Sequence, residues 1–426
     1  MRIESAAYTH AGRVRPHNED AFRDERDHGV FIVCDGMGGH AAGEVASSMA
    51  CEAFMRAFAP TPLRDTGPDP TEPETHRAIL RTRCAVEAAS KQVFDDAARN
   101  VERRGMGTTL VALVLLGGKG LVTHVGDSRL YLVRDGQVHR LTTDHNFRTE
   151  VVRAGIMTSE EAARSPHAHI ITRAVGVAAT VSADVLAFDV LPGDTFVLCT
   201  DGLHEYLDES GGDLLGFTTG RSLEAAVQGL GELALARGGH DNITALVVRV
   251  LGETERERTR KHTVNRALDA LRDLDMFRDL DMAELVRVYG LLTTEHAQAG
   301  QCILREGEST SGLYIMLDGA VEVARGGAAI ATLGRGTHFG EMSLLNQRPR
   351  SATVIAASKA TLLRLEIGQF QQLLDHEPGI ASKVLLKLAQ TLSLRLDDAY
   401  LARDQRYGRP TLGLGEYPAP TPPRKR

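Results

Sequence analysis

The chain has 426 residues, 42% apolar and 25% charged, an ordinary globular mixture with length enough for two domains. A net charge of −7 excludes a general basic field for nucleic acid. Five scattered cysteines (Cys34, Cys51, Cys84, Cys199, Cys302) form no CxxC pair, which suits a reduced compartment better than a disulfide framework. The first residues, MRIESAAYTH, lack the basic and apolar regions of a signal peptide, and the longest apolar run, LVALVLL at 110–116, suits a buried strand. A cytoplasmic chain with no membrane or nucleic-acid partner is the expectation.

In chain order, GVFIVC, TLVALVLL, GLVTHV, RLYLV, TFVLC and ITALVVRV read as strands: β-branched or apolar runs bounded by turn residues. RLYLVRDGQVHRLT predicts a hairpin turning at Asp135-Gly136. Helical periodicity covers 41–59, 75–101 and 221–238, and the Pro-rich stretch 60–74 reads as a surface loop. The charged segment 252–263 has no apolar face and predicts a linker or an exposed helix. A helical region (264–291) follows, then strands with turns at Asp318-Gly319 and Gly326-Gly327, then a helical tail (367–401) and a Pro-rich end expected to be disordered. This divides the chain into a domain at 1–252, a linker at 253–263, a second domain at 264–401 and a tail at 402–426.

The stretch FIVCDGMGGH (31–40) sends an apolar strand into an acid, Asp35, followed by flexible backbone. The pattern recurs: GLVTHVG runs into Asp127, TFVLCT into Asp201, and Asp241 precedes ITALVVRV. Four carboxylates meeting at strand ends repel one another unless a cation neutralises them, and oxygen ligands favour Mg²⁺ or Mn²⁺. Gly36 could add its carbonyl. RPHNED (15–20) adds Arg15, suited to grip a phosphate, and the acids Glu19 and Asp20. An arginine beside clustered acids suggests metal-assisted hydrolysis of a phosphate ester, with water activated by two cations that share a carboxylate.

RPHNED, DGMGGH, GMGTT (105–109), GDSRLY (126–131), TDGL (200–203) and HDNIT (240–244) resemble, in order and spacing, the motifs of type 2C metal-dependent protein serine/threonine phosphatases of bacterial type. The resemblance covers about 5–250. It implies an α+β fold: a four-layer α/β/β/α sandwich of two antiparallel sheets with the site at one end. It also implies that Asp35 bridges two metals with the Gly36 carbonyl on one. Asp201 and Asp241 would bind the other, Glu19 and Asp20 act largely through water, and Asp127 helps hold a third, weaker metal. Arg15 would hold the substrate phosphate. The position of Met37, a histidine in many eukaryotic members, leaves the leaving-group acid unassigned, and 145–180 resembles the family's flap. His40, His124, His167 and His169 are read as surface or core residues, and Cys34 and Cys199 as buried strand residues.

Residues 338–354, HFGEMSLLNQRPRSATV, form a second constellation. Gly340 permits a close turn, Met342–Leu345 reads as one helical turn facing an anion, Arg350 supplies a charge, and Glu341 suits a sugar hydroxyl. The stretch resembles the phosphate cassette of cyclic nucleotide-binding domains, a resemblance covering about 270–400. It implies a β-roll with flanking helices, in which Gly340, Glu341 and Ser343 touch ribose or phosphate, Arg350 binds the cyclic phosphate and Ser351 adds a hydroxyl. Helix 380–397 would be the lid. The expected protein is thus a phosphoserine/phosphothreonine phosphatase acting on phosphorylated proteins and regulated by cAMP or cGMP. The alternative is a signalling scaffold with a silent phosphatase. Substrate, nucleotide preference, sign of regulation and oligomeric state stay open.

Overall fold

The computed structural model describes residues 1–38, 42–59, 72–252, 255–309, 312–342 and 349–407. Its N-terminal domain runs β1 (Arg2–His10), β2 (Asp20–Glu25), β3 (Val30–Met37), α1 (Ala42–Phe58), α2 (Glu72–Arg99), β4 (Gly107–Thr108), β5 (Leu110–Leu116) and β6 (Lys119–Val125). It continues through β7 (Arg129–Arg134), β8 (Gln137–Arg140), α3 (Phe147–Arg153), α4 (Ser159–Ala163), β9 (Asp184–Asp189) and β10 (Thr195–Cys199). The domain closes with α5 (Asp201–His204), α6 (Gly212–Thr218), α7 (Leu223–Arg237) and β11 (Ile243–Leu251). One antiparallel sheet has the order β1-β11-β10-β7-β8; the other has β2-β3-β5-β6-β9, with β4 added beside β3.

The strand period of two explains the layers. Phe31 and Val33 of β3 point between the sheets, where they join Leu130, Phe196, Leu246 and Val248. Their neighbours Val30, Ile32 and Cys34 point the other way, onto Ala46, Ala50 and Phe54 of α1 and Val86 and Ala89 of α2. In the facing sheet Val197, Ala245 and Val247 point outward onto Leu223, Val227 and Leu230 of α7. The result is the four-layer α/β/β/α sandwich. The turn between β7 and β8 places Asp135 at φ 49° and Gly136 at φ 75°, as a primed hairpin turn requires. Strands β1 and β2 have no apolar run in the sequence and β9 only the short one at 185–188, and the topology shows why: each lies at a sheet edge, half covered.

The charged segment after β11 enters α8 (Glu255–Asp273), a helix rather than a loop from Glu255 on. After a 3-10 turn (Asp275–Phe277) come α9 (Met282–Gly290), β12 (Thr293–Ala297), β13 (Cys302–Leu304), β14 (Leu313–Asp318), β15 (Ala320–Arg325) and β16 (Ala328–Gly334). Then follow β17 (His338–Phe339), β18 (Thr353–Ala356), β19 (Ala360–Leu365), α10 (Ile367–His376) and α11 (Pro378–Tyr407). The strands form two antiparallel sheets, β12-β19-β14-β17 and β13-β18-β15-β16, rolled around Tyr314, Met316, Val321, Phe339, Val354 and Leu362. Gly326-Gly327 closes the β15–β16 hairpin, at φ 56° and 82°. Asp318-Gly319 does not close one: β14 and β15 lie in opposite sheets, so this turn carries the chain across the roll. Of the Pro-rich stretch 60–74, residues 60–71 lie outside the described residues, as do 408–426 of the tail.

The two domains share one apolar cluster, in which Phe188 and Leu191 meet Val264, Leu268, Leu285 and Val288. Helix α9 lies on β9 so closely that a Cβ on Gly290 would sit 2.4 Å from the Ala187 carbonyl. Arg287 of α9 donates to the Leu141 carbonyl (2.8 Å) and to both Glu377 oxygens (3.0 Å each), at the joint between α10 and α11. Arg260 pairs with Asp189, and Lys261 lies 3.4 Å from Asp135. Helix α11 packs Ile380, Ala381, Val384 and Leu388 into the same cluster.

Candidate active site and nucleotide pocket

Strand ends from both sheets bring the predicted acids to one edge of the sandwich. Asp20 of β2 is the cross-strand partner of Asp35 of β3. Asp201 opens α5 at the end of β10, near enough to Asp35 that burial and then the Asp201 charge raise the Asp35 carboxyl. Gly202 packs on the backbone before β11, where a Cβ would lie 2.0 Å from the Asn242 carbonyl; this sets Asp241 beside Asp201. Asp127, only 8% exposed, sits behind them at the end of β6. Gly36 N donates to the Glu19 carbonyl at 3.2 Å, and a Cβ on Gly36 would meet the Gly43 carbonyl at 2.1 Å. Only glycine allows β3, α1 and the Glu19 loop to close there.

Neutral hydrogen bonds position these acids. Asp35 N donates to Thr109 Oγ1 (2.9 Å), and Thr108 Oγ1 and Thr109 N donate back to the Asp35 carbonyl (2.8 and 2.9 Å). Thr200 Oγ1 donates to Asp20 Oδ2 at 2.9 Å. Asn242 accepts from Glu19 N (2.8 Å) and donates to the Ala11 and His17 carbonyls (3.0 and 2.9 Å), tying RPHNED to β11. Thr108, Thr109, Thr200 and Asn242 lie within the motifs, yet no periodicity marks them as supports. Arg15 donates to Asp241 Oδ2 at 2.6 Å from a half-exposed position; Asp241 raises its pKa.

The electrostatics of the cluster show a shortage of positive charge. Burial, then the charge of Asp201, pushes the Asp127 carboxyl up to about 7. Burial and neighbouring acids also raise Asp20, Asp35 and Asp201. One oxygen on each of Asp20, Asp127 and Asp201 is buried with no hydrogen-bond partner. Orphaned, crowded carboxylate oxygens at a rim of backbone carbonyls are the donor set that a hard divalent cation requires, so these residues fit Mn²⁺ or Mg²⁺. Residues 39–41, including His40, lie outside the described residues.

Among the described residues a second compact group, His124, His145 and Asp184, has ligand atoms within 4.8 Å of one another. Its hydrogen bonds argue against a metal. His145 Nδ1 accepts from Gly126 N (3.1 Å), so the proton of the neutral ring lies on Nε2, 3.2 Å from Asp184 Oδ2. His124 Nε2 donates to the Thr143 carbonyl (2.9 Å), and burial lowers this imidazole to about 4. The rings stack at 4.6 Å. The core reading of His124 holds. His167 and His169 are exposed. Cys34 and Cys199 are fully buried.

In the second domain Gly340 (φ 84°), Glu341 and Arg350 converge. A Cβ on Gly340 would lie 2.7 Å from the Gly312 carbonyl and 2.8 Å from Arg350 Nη1. The Arg350 guanidinium donates to the Gly340 and Gly312 carbonyls (3.2 and 3.0 Å). It is 6% exposed and Glu341 7%, and burial lowers the Arg350 pKa. Met342 is exposed, as is Ser351; Ser343 lies outside the described residues.

A profile of the protein phosphatase 2C family matches residues 9–234, and one of the cyclic nucleotide-binding domain matches 294–377. The serine/threonine phosphatase stp of Listeria welshimeri is 36% identical over 244 residues, 56% of this chain and 93% of its own length. The crystal structure of the Mycobacterium tuberculosis phosphatase PstP/Ppp, 32% identical, superposes with a TM-score of 0.51 over 59% of this chain and 100% of that one. A second structure of the PstP catalytic domain, in complex with 2 manganese ions, is also 32% identical, with a TM-score of 0.50 over 59% of this chain and 99% of its own. The chain belongs to the protein phosphatase 2C family of serine/threonine phosphatases and carries a cyclic nucleotide-binding domain behind its catalytic sandwich.

Proposed function

We propose that this protein hydrolyses phosphoserine and phosphothreonine in proteins with two Mn²⁺ or Mg²⁺ ions, under the control of cAMP or cGMP. The observation that carries the catalytic reading is the set of orphaned carboxylate oxygens on Asp20, Asp127 and Asp201 around Asp35. Asp35 would serve both cations, with the Gly36 carbonyl on one and Asp201 and Asp241 on the other. Glu19 and Asp20 would work through water, and Asp127 toward a third, weaker ion. When bound, the cations supply a more acidic water and positive charge for the phosphoryl oxygens. Arg15 orients the substrate: Nη2 stays on Asp241, and its other N–H groups, which have no hydrogen bond among the described residues, face solvent for the phosphate.

The regulatory reading rests on continuity. Arg350 is a buried guanidinium at the Gly340 and Gly312 carbonyls, a charge suited to an anion, and Glu341 beside it suits a ribose hydroxyl. Arg287 joins the α10–α11 joint to Leu141, and Leu141 leads into Asp144, which is bidentate to Arg129, and then His145, which holds Gly126 next to Asp127. A nucleotide that shifts the α10–α11 joint therefore changes contacts that end at the acid centre. Turnover of a phosphothreonine peptide with Mn²⁺, with chelator, and with saturating cAMP or cGMP tests both parts. Activity in excess chelator overturns the metal reading, and nucleotide binding with unchanged kinetics overturns the regulatory one.

A further inference from the structure

A cavity of about 390 Å³ lies where the two domains meet, away from both the acid centre and the nucleotide pocket. Its walls come from α2, the β6–β9 edge, the segment after Leu141, the end of α9 and one face of α10. The size is that of a small-molecule site. The apolar surface comes from both domains, with Ile79, Leu80 and Leu186 on one side and Leu291, Leu292 and Leu373 on the other.

Among the described lining residues the polar part leans positive: Arg83, Lys119 and Arg287 face two acids, Asp184 and Glu377, and Arg153 has a partner of its own. Asp184 already accepts from Arg173 (2.8 Å) and Glu377 from Arg287, while Lys119 is bound to Asp189 (2.9 Å). Arg83 has no ion pair or hydrogen bond among the described residues, and Arg287 Nε is buried without a hydrogen-bond partner. We propose that this cavity is a second ligand site, for a small organic anion with an apolar body. A neutral apolar ligand leaves Arg83 without a counter-charge, and a cation is repelled by Arg83 and Arg287. A carboxylate or sulfonate pairs with Arg83 while its body covers the leucines. The neutral His124 ring on the same wall adds no opposing charge. Such a ligand touches both domains, so it binds their docked arrangement.

Calorimetry on the full chain with decanoate below its micellar range tests this, with decanol and decylammonium as controls. One decanoate is expected per chain, with decanol weaker by about tenfold or more and decylammonium not bound. Arg83→Glu and Leu80→Glu, both at accessible α2 positions, should each weaken decanoate by about tenfold or more and leave cAMP affinity unchanged. Thermal melts confirm that each variant is folded, and Leu80→Glu decides alone if Arg83→Glu is not. The proposal is overturned if decanoate shows no saturable site, if decanol binds equally well, or if the folded variants keep the wild-type affinity.

Discussion

The acid centre and the nucleotide pocket are both built to receive charge, but in opposite ways. At the acid centre five aspartates are forced together from strand ends of two sheets, and threonine, asparagine and backbone groups hold them in place. In the nucleotide pocket one buried arginine is held by carbonyls within a single roll. The first arrangement is self-repelling without its ligand, so removing a member costs function rather than fold. The second is satisfied without its ligand, so its occupancy can act as a signal.

The largest effect expected from this contrast is at Asp35. Asp35→Asn should lower turnover by about 10³-fold or more, because several kcal/mol of metal-derived stabilisation vanish. Its melting temperature without metal should stay level or rise, since one repelling charge is gone; a marked fall would show that the cluster holds the fold together. Chelator should abolish wild-type activity and Mn²⁺ restore it. Next is Arg15→Ala, which removes a charge-assisted bond of about 1.5–3 kcal/mol and should lower kcat/KM by roughly ten- to a hundredfold, mostly through KM. Unchanged efficiency would leave Arg15 as a partner of Asp241 only.

In the other pocket, Arg350→Ala should weaken cyclic nucleotide binding by about ten- to a hundredfold and flatten any nucleotide response, without changing the Mn²⁺ requirement. Calorimetry and the same peptide assay read both. Arg287→Ala, between the two sites, should leave nucleotide affinity within a few-fold but shrink the response by about 0.5–2 kcal/mol, a factor of roughly two to thirty. A full response in that variant would place the coupling elsewhere in the shared core. The smallest effect concerns pH. Burial and Asp201 hold the Asp127 carboxyl at about 7, above the ordinary 3.8, so the folded protein keeps a proton that the unfolded chain releases. That stabilisation is complete below about 4 and is lost as pH rises through about 7. The melting temperature of metal-free protein should therefore drop across this range by a few degrees, and saturating Mn²⁺ should remove the drop.

The fused architecture was legible in the residues, because most central strands are apolar runs and each motif is local. The edge strands β1, β2 and β9 were not, since half-covered strands carry no apolar run or only a short one. Neither was the crossing at Asp318-Gly319, where the same turn chemistry serves a hairpin or a passage between sheets. His124 could be read as a core residue, but its stacking on His145 depends on pairs far apart in the chain.

By itself the sequence determined which residues carry charge to the ends of apolar strands, because alternation and turn chemistry are short-range properties of the chain. Only the tertiary structure decided that Asn242 ties the Arg15 loop to β11, and that three buried carboxylate oxygens are left without partners. It alone laid α9 on β9 so that Arg287 reaches Leu141 and Glu377, leaving a cationic cavity between the domains. These are contacts between segments tens to hundreds of residues apart, and which partner each group meets is set by how the layers pack.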